Sequence, residues 1–156
     1  MTEGMGEPLR GLARLLANEP GAARVLLDNP EDNPICSISI DRDVPCAVIV
    51  WKRYATSTQL RFIHEWLLEV LTRNRLSKLL GDDTALPTIH SHDQRWIAED
   101  WMPRATAAGL KAAASRRPES HFARLAVDAL QSVKAPGLQF GSFSDVAAAR
   151  RWLASQ

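Results

Sequence analysis

Charged side chains stand at the ends of three predicted strands. Asp82 ends the apolar stretch KLLGD and Asp83 follows it, Arg116 and Arg117 follow KAAAS, and Arg53 lies after CAVIVW. The carboxyl ends of parallel strands meet at one edge of a sheet, which is where open α/β sheets bind ligands. We therefore expect these side chains to share that edge, either as a binding site for a small charged ligand or as ordinary solvated charges.

A second set of candidate residues lies on the predicted helix that starts near Ser91. It contains Trp96, Trp101 and Arg104. Trp and Arg are enriched among the residues that contribute most to protein interfaces. If Trp101 is exposed, this helix presents a recognition surface, and if it is buried, Trp101 belongs to the core. Trp101 and Arg104 are therefore the candidate interaction residues.

No motif of a known catalytic or metal site is present. The sequence lacks GxSxG, HExxH, Walker and GxGxxG patterns. His90 and His92 flank Ser91, but two ligands do not complete a metal site, which needs three or four converging groups. We therefore predict a protein without enzymatic activity, bound metal or cofactor.

These candidate residues depend on strands that the apolar pattern predicts. Residues 36–40 (CSISI) alternate apolar and polar side chains, which is typical of a half-exposed strand, whereas residues 46–51 (CAVIVW) form the continuous apolar run of a buried strand. The connection between them is too short for a crossover helix, so the two strands must be antiparallel. Further strands are predicted over 78–82, over 111–115 and from Leu138.

Four segments have apolar residues at helical spacing. Their predicted N-terminal signals are, in chain order, Thr56 or Ser57 as N-cap, a capping box of Ser91 and Gln94, Pro118 as the first residue, and Ser144 as N-cap.

Further signals lie within the second and third helices. In the second, Pro103 should produce a kink, and Gly109 with Leu110 should form a Schellman ending. The buried stripe of the third helix is predicted to consist of Phe122, Leu125, Ala126, Ala129, Leu130 and Val133.

The resulting order, β-β-α-β-α-β-α-β-α, predicts an α/β fold. Helices of this length between strands require parallel, right-handed crossovers. We expect one mixed sheet of five strands over residues 35–154, in which only the first strand is antiparallel to its neighbour, with helices on both faces.

Composition and charge fit one ordinary globular domain. The chain has 156 residues, 46% hydrophobic and 24% charged, and a formal net charge of +1. That charge is too small for the electrostatic footprint of non-specific nucleic-acid binding, and no apolar run is long enough to span a membrane. We predict no nucleic-acid partner and no membrane span.

The first 33 residues differ from the rest in charge. They contain six acidic and three basic residues, whereas residues 34–156 contain twelve acidic and sixteen basic residues. Leu9, Leu12, Leu15 and Leu16 recur at helical spacing, and DNPEDNP then interrupts any regular element. We predict a helical appendage and linker over 1–33, followed by an α/β domain over 34–156.

Cysteine usage and the first residues bear on localisation. Cys36 and Cys46 lie in apolar stretches, where a free thiol usually acts as a small core side chain. The segment MTEGMGEPLRG lacks the apolar region of a secretory signal. We expect a cytoplasmic protein.

The hairpin and the α-β units that follow it resemble those of the bacterial STAS-like family, related in fold to anti-sigma-factor antagonists. The matching segments are DQRWIAEDWMPRATAAGLK and FSDVAAARRWL, and the cluster W-x4-W-x-P-R is the most specific of them. The resemblance covers about residues 35–154.

The resemblance implies a non-enzymatic regulatory or interaction module that binds a protein partner or a second copy of itself. In true antagonists a phosphorylatable Ser follows an Asp after the third strand, and Thr84 is the corresponding candidate phosphoacceptor here. The longer loop that leads to Ser91 departs from that pattern. The alternative function is binding of a small ligand or lipid head group at the carboxyl edge of the sheet.

Overall fold

A computed structural model describes residues 22–25, by their backbone, and 35–156. Its sheet has six strands that lie side by side in chain order. They are β1 (Ala22–Val25), β2 (Cys36–Asp41), β3 (Cys46–Trp51), β4 (Lys78–Asp82), β5 (Ala112–Arg116) and β6 (Gln139–Phe143).

The five predicted strands over residues 35–154 are confirmed as one mixed sheet. β2 pairs with β3 antiparallel, and β3, β4, β5 and β6 run parallel to one another. The short strand β1, which the sequence did not predict, pairs antiparallel with β2 and extends that edge. The predicted helix around Leu9 to Leu16 and the segment DNPEDNP lie outside the described residues.

Helices cover both faces of this sheet, as predicted. The helices are α1 (Ser57–Arg73), α2 (Ser91–Trp96), α3 (Met102–Ala107), α4 (His121–Gln131) and α5 (Val146–Ala154), and a π-helical segment (Ile97–Trp101) joins α2 to α3. Neighbouring strands joined by right-handed crossovers place their helices on one face. The helices α1 to α4 accordingly pack on one face, and α5 packs on the other.

Two apolar clusters hold the layers together. The larger lies between the sheet and α1 to α4, and the smaller lies between the sheet and α5. Side chains alternate between the faces along each strand, so Ile49 joins the larger cluster and Cys46 the smaller. Cys36 and Cys46 are free and fully buried, as predicted, and burial raises the pKa of Cys36 to about 12.

Two predicted helix ends are confirmed by their hydrogen bonds. Thr56 caps α1 in a capping box, in which its hydroxyl accepts from the Gln59 amide at 3.3 Å and its own amide donates to the Gln59 side chain at 2.9 Å. Gly109 has φ 116°, and the Leu110 amide donates to the Ala105 carbonyl at 3.0 Å. These features complete the predicted Schellman ending.

The predicted capping box of Ser91 and Gln94 is wrong. His90 is the N-cap of α2, and its side chain makes no capping hydrogen bond. The side-chain amide of Gln94 donates to the Ile89 carbonyl at 2.7 Å instead. The Gln94 side chain thus reaches past the cap to the preceding loop.

The predicted starts of the last two helices are also wrong. Pro118 lies before α4, which begins at His121 because Ser120 accepts a hydrogen bond from the amide of Ala123. The final helix begins after Asp145 rather than after Ser144. The Asp145 carboxylate, a strong N-cap acceptor, receives the Ala148 amide at 2.7 Å.

The helix irregularity expected at Pro103 takes the form of the π-helical segment directly before it. Met102 donates its amide to the carbonyl of Ile97, five residues back. Single π turns commonly produce the bends seen in long helices.

The predicted buried stripe of α4 is only partly correct. Ala126 is buried, but Phe122 is 71% exposed and Leu125 54% exposed. The helix is turned so that small side chains face the sheet, namely Ala123, Ala126 and Val127. Phe122 and Leu125 therefore form an apolar patch on the surface.

Candidate functional site

A crevice forms where the chain leaves β5 and β6. The segment after β5 leads to α4 on one face of the sheet, whereas the segment after β6 leads to α5 on the opposite face. Adjacent connections that diverge in this way open a gap outside the carboxyl ends of the strands, and α/β proteins bind ligands at such a point.

Three of the six residues that line this gap are arginines. The gap encloses about 270 Å³. We call it the arginine crevice and define it by its lining residues, which are Arg116, Arg117, Pro118, Glu119, Arg124 and Ser144. Three arginines and one glutamate belong to the lining, and the Asp82 carboxylate lies beside Arg116, so the crevice keeps a net positive charge that suits an anion.

The three arginines keep hydrogen-bond donors available. Arg116 Nη1 lies 4.0 Å from Asp82 Oδ1, and Arg124 uses its Nε to donate to the Pro118 carbonyl at 2.6 Å. Within residues 35–156, Arg117 has no side-chain hydrogen bond or ion pair. Most N–H groups of these side chains are therefore free to bind a ligand.

Backbone hydrogen bonds fix the walls of the arginine crevice. Arg117 donates its amide to Phe143 O at 2.9 Å, and Glu119 donates its amide to Thr84 O at 3.1 Å. Ser120 Oγ donates to the Pro87 carbonyl at 2.9 Å. The loops after β4, β5 and β6 thus support one another.

Asp82 and Thr84 form a tight turn beside the crevice. Asp82 Oδ1 accepts from the Thr84 amide at 3.2 Å and from Thr84 Oγ1 at 2.5 Å. The half-buried Thr84 hydroxyl is therefore already engaged. A phosphate on Thr84 would break this bond and place negative charge against the Asp82 carboxylate.

Asp83 does not share a site with Asp82, although it directly follows Asp82 at the end of β4. Its carboxylate folds toward the face covered by α1 to α4, where Ser115 Oγ donates to Oδ2 at 2.6 Å. Burial raises the pKa of Asp83 to about 6. Gly81 leaves space for this side chain, since a Cβ there would lie 3.0 Å from Asp83 Oδ1.

Trp101 is not part of a presented surface. It is only 4% exposed, and its indole contributes to the core between the sheet and α1. The interface hypothesis therefore fails for this residue, and the core alternative is correct.

Arg104 is held by acidic neighbours on two helices. Its guanidinium pairs with both carboxylate oxygens of Glu65 and, at 2.9 Å, with Asp100. These partners raise the pKa of Arg104. The side chain ties α3 to α1, so its donors are already occupied.

Arg53 lies away from the arginine crevice. It follows β3, two strands from β5, and its backbone amide donates to the Ile35 carbonyl at 3.3 Å. Of the predicted edge residues, the structure therefore brings Arg116 and Arg117 into the crevice and places Asp82 beside it.

A Ser, His and Asp cluster joins the N-termini of α1 and α2. Ser57 Oγ donates to Asp93 Oδ2 at 2.7 Å and lies 2.9 Å from His92 Nε2. In a catalytic triad the acid holds the other imidazole nitrogen, whereas here Nε2 faces both Ser57 and Asp93. This cluster has the geometry of a helix-end network.

Two residues that line the crevice were not predicted from the sequence. Arg124 lies inside α4, and Ser144 lies in the β6 to α5 connection. Neither has a local motif. The signal that could have found them is the divergence of the connections after β5 and β6, which requires knowing the face on which α5 packs.

No family model, curated protein or solved structure matches this chain. Across the described part of the chain, no group of three or more His, Cys, Asp or Glu side chains is placed to hold a metal ion. In the same residues, no helix has the length and apolar character needed to cross a bilayer.

Proposed function

We propose that this protein binds a small anionic ligand of the phosphate or phosphoryl class in the arginine crevice. The observation that supports this most is the position of three arginines where the connections after β5 and β6 diverge. Within the described residues, the arginine crevice combines a position at which α/β proteins bind ligands with a surplus of positive charge.

Arginine chemistry favours a phosphoryl group as the anion. A planar guanidinium donates two parallel hydrogen bonds to phosphate oxygens, and several such forks can surround one tetrahedral group. The N-terminal ends of α4 and α5 follow the crevice loops and favour negative charge there. Ser144 adds a hydroxyl donor to the same lining.

The size of the crevice argues for a small ligand. About 270 Å³ holds a phosphoryl group with a small organic part, a volume just below the usual range of small-molecule sites. A polynucleotide would need a larger basic surface than a net charge of +1 provides.

Calorimetric titration with inorganic phosphate tests the proposal. We expect Arg117→Gln to weaken phosphate binding about tenfold or more, because hydrogen bonds to charged groups contribute about 1.5 to 3 kcal/mol. Arg117→Lys should recover only part of the affinity, since a lysine lacks the guanidinium fork. Equal affinities of Arg117→Gln and the unmodified protein would contradict the proposal.

An arginine outside the crevice provides the matched control. Arg95 is exposed on α2, and Arg95→Gln removes the same charge from the protein. Its phosphate affinity should stay within about twofold of the unmodified value. If both substitutions weaken binding equally, the effect is one of net charge and the crevice is not the site.

A second candidate function is the protein interaction implied by the resemblance to STAS-like modules, here as self-association. The observation that favours it is the apolar patch of Phe122 and Leu125, one turn apart on α4. An isologous dimer would place two such patches against each other. Sedimentation over a concentration series should show dimers that Leu125→Ser abolishes, and a monomer at all concentrations would exclude this role.

A further inference from the structure

A cavity of about 130 Å³ lies between the sheet and the layer formed by α1 to α4. Protein interiors rarely leave voids larger than a water molecule, and a cavity near this size can bind benzene. Most of its lining is apolar and includes Ile49, Trp51, Leu67, Leu79, Ile97, Trp101, Val127, Leu130 and Phe140.

His64 provides a hydrogen-bond acceptor in this lining. Its Nδ1 lies 2.8 Å from the Leu60 carbonyl, which can only accept, so Nδ1 has the proton and Nε2 has the lone pair. Burial lowers the pKa of His64 to about 4, which keeps the ring neutral. No atom of residues 35–156 forms a hydrogen bond to Nε2.

Asp83 provides a second acceptor in the same cavity. Its Oδ2 receives the Ser115 hydroxyl, and its carboxylate has capacity for another donor. Gln131, another polar side chain of the lining, uses its side-chain oxygen to accept from Ser142 Oγ at 2.6 Å and one amide hydrogen to donate to Gly141 O at 3.3 Å. Asp83 and His64 therefore both keep acceptor capacity for a donor on a ligand.

We propose that this cavity is a second binding site, separate from the arginine crevice, for a small aromatic molecule with one hydrogen-bond donor, of the phenol class. The ring would pack against Trp51 and Trp101, and the hydroxyl would donate to Asp83 or to His64. The volume limits the ligand to about the size of one substituted ring. An anionic head group is disfavoured, since most of the walls are apolar and the lining includes the Asp83 carboxylate.

A pair of probes of equal size tests the proposal. Phenol has a donor and toluene does not, so we expect phenol to bind about tenfold more tightly. Titration followed by NMR should shift the indole N–H signals of Trp51 and Trp101, which line the cavity. The signal of Trp152 serves as the control, because Trp152 packs on the opposite face of the sheet.

Two variants separate the donor contact from the space itself. Asp83→Asn keeps the shape of the side chain but removes its charge. It should weaken the binding of phenol about fivefold or more and leave the affinity for toluene unchanged. Ala113→Leu places a larger side chain in the cavity, so it should abolish binding of both probes. If Ala113→Leu does not fold, Leu130→Phe fills the same space from α4.

Three results would overturn the proposal. They are equal affinities for phenol and toluene, shifts at Trp152 as large as those at Trp101, and unchanged binding of both probes to a folded cavity-filling variant. Phosphate titration of the same samples keeps this test apart from that of the arginine crevice, because the two sites share no charged residue.

Discussion

The indole Nε1 of Trp101 donates a 2.7 Å hydrogen bond to the backbone carbonyl of His64. The two rings also meet edge to face, with centroids 5.1 Å apart. This pair joins the π-helical segment to α1, so the widened turn before Pro103 is stabilised by a buried contact with a neighbouring helix.

Trp101→Ala should destabilise the protein by about 3 to 5 kcal/mol, because it removes a large buried side chain and leaves a cavity. Trp101→Phe should cost less, since it keeps an apolar ring and removes only the indole hydrogen bond, while the His64 carbonyl still accepts from the backbone of α1. Urea unfolding measures both. A loss below about 1 kcal/mol for Trp101→Ala would contradict the buried position.

The two titratable groups of the cavity should oppose each other in the pH dependence of stability. His64 has a pKa lowered to about 4, so its contribution is present above pH 6.5 and lost as the pH falls toward 4. Asp83 has a pKa raised to about 6, so its contribution is present below pH 3.8 and lost as the pH rises through 6. Each shift corresponds to about 3 kcal/mol, and the slopes largely cancel between pH 4 and 6.5.

Asp83→Asn removes one of these opposing contributions. We expect the free energy of unfolding of this variant to rise by about 3 kcal/mol from pH 4 to pH 6.5, while that of the unmodified protein changes much less. Asp128→Asn, at an exposed site on α4, is the matched control. A variant profile that runs parallel to the unmodified one would show that Asp83 titrates normally.

Thr84→Ala should cost about 1 kcal/mol of stability through the lost hydrogen bond to Asp82, and Thr84→Val should cost a similar amount. Phosphate affinity should stay within about twofold in both variants, because Thr84 does not line the arginine crevice. Mass spectrometry of protein from its native cell tests the alternative, in which Thr84 is a phosphoacceptor. Stoichiometric phosphate on Thr84 would support that role.

Phe122→Ser should change stability by less than about 1 kcal/mol, because surface substitutions away from special features have small effects. The prediction differs sharply from that of the sequence, which placed Phe122 in the core, where such a change costs several kcal/mol. Val127→Ser, at a buried position on the same helix, is the contrasting variant. Equal losses of stability in the two variants would show that Phe122 is buried.

The sheet was predictable because strand patterns are local. The alternation of CSISI, the continuous run of CAVIVW and the short turn between them determine an antiparallel hairpin, and the spacing of later helices requires parallel crossovers. The fold class agrees with the predicted resemblance, whereas membership of the STAS-like family stays a prediction.

The candidate sites were less predictable because they depend on long-range packing. The contact of Ser115 with Asp83 arises from the register that pairs Ser115 with Gly81. Phe122 and Ala123 are adjacent, and periodicity alone does not decide which of them faces the sheet. Arg124 enters the crevice only because α4 and α5 lie on opposite faces.

Titration of the isotopically labelled protein with inorganic phosphate, followed by backbone amide shifts, is the most direct test of anion binding. We expect saturable shifts at Arg117, Ser120 and Ser144, and no comparable shifts on β2 at the far side of the sheet. Shifts that do not saturate, or that are as large on β2 as around the arginine crevice, would contradict it.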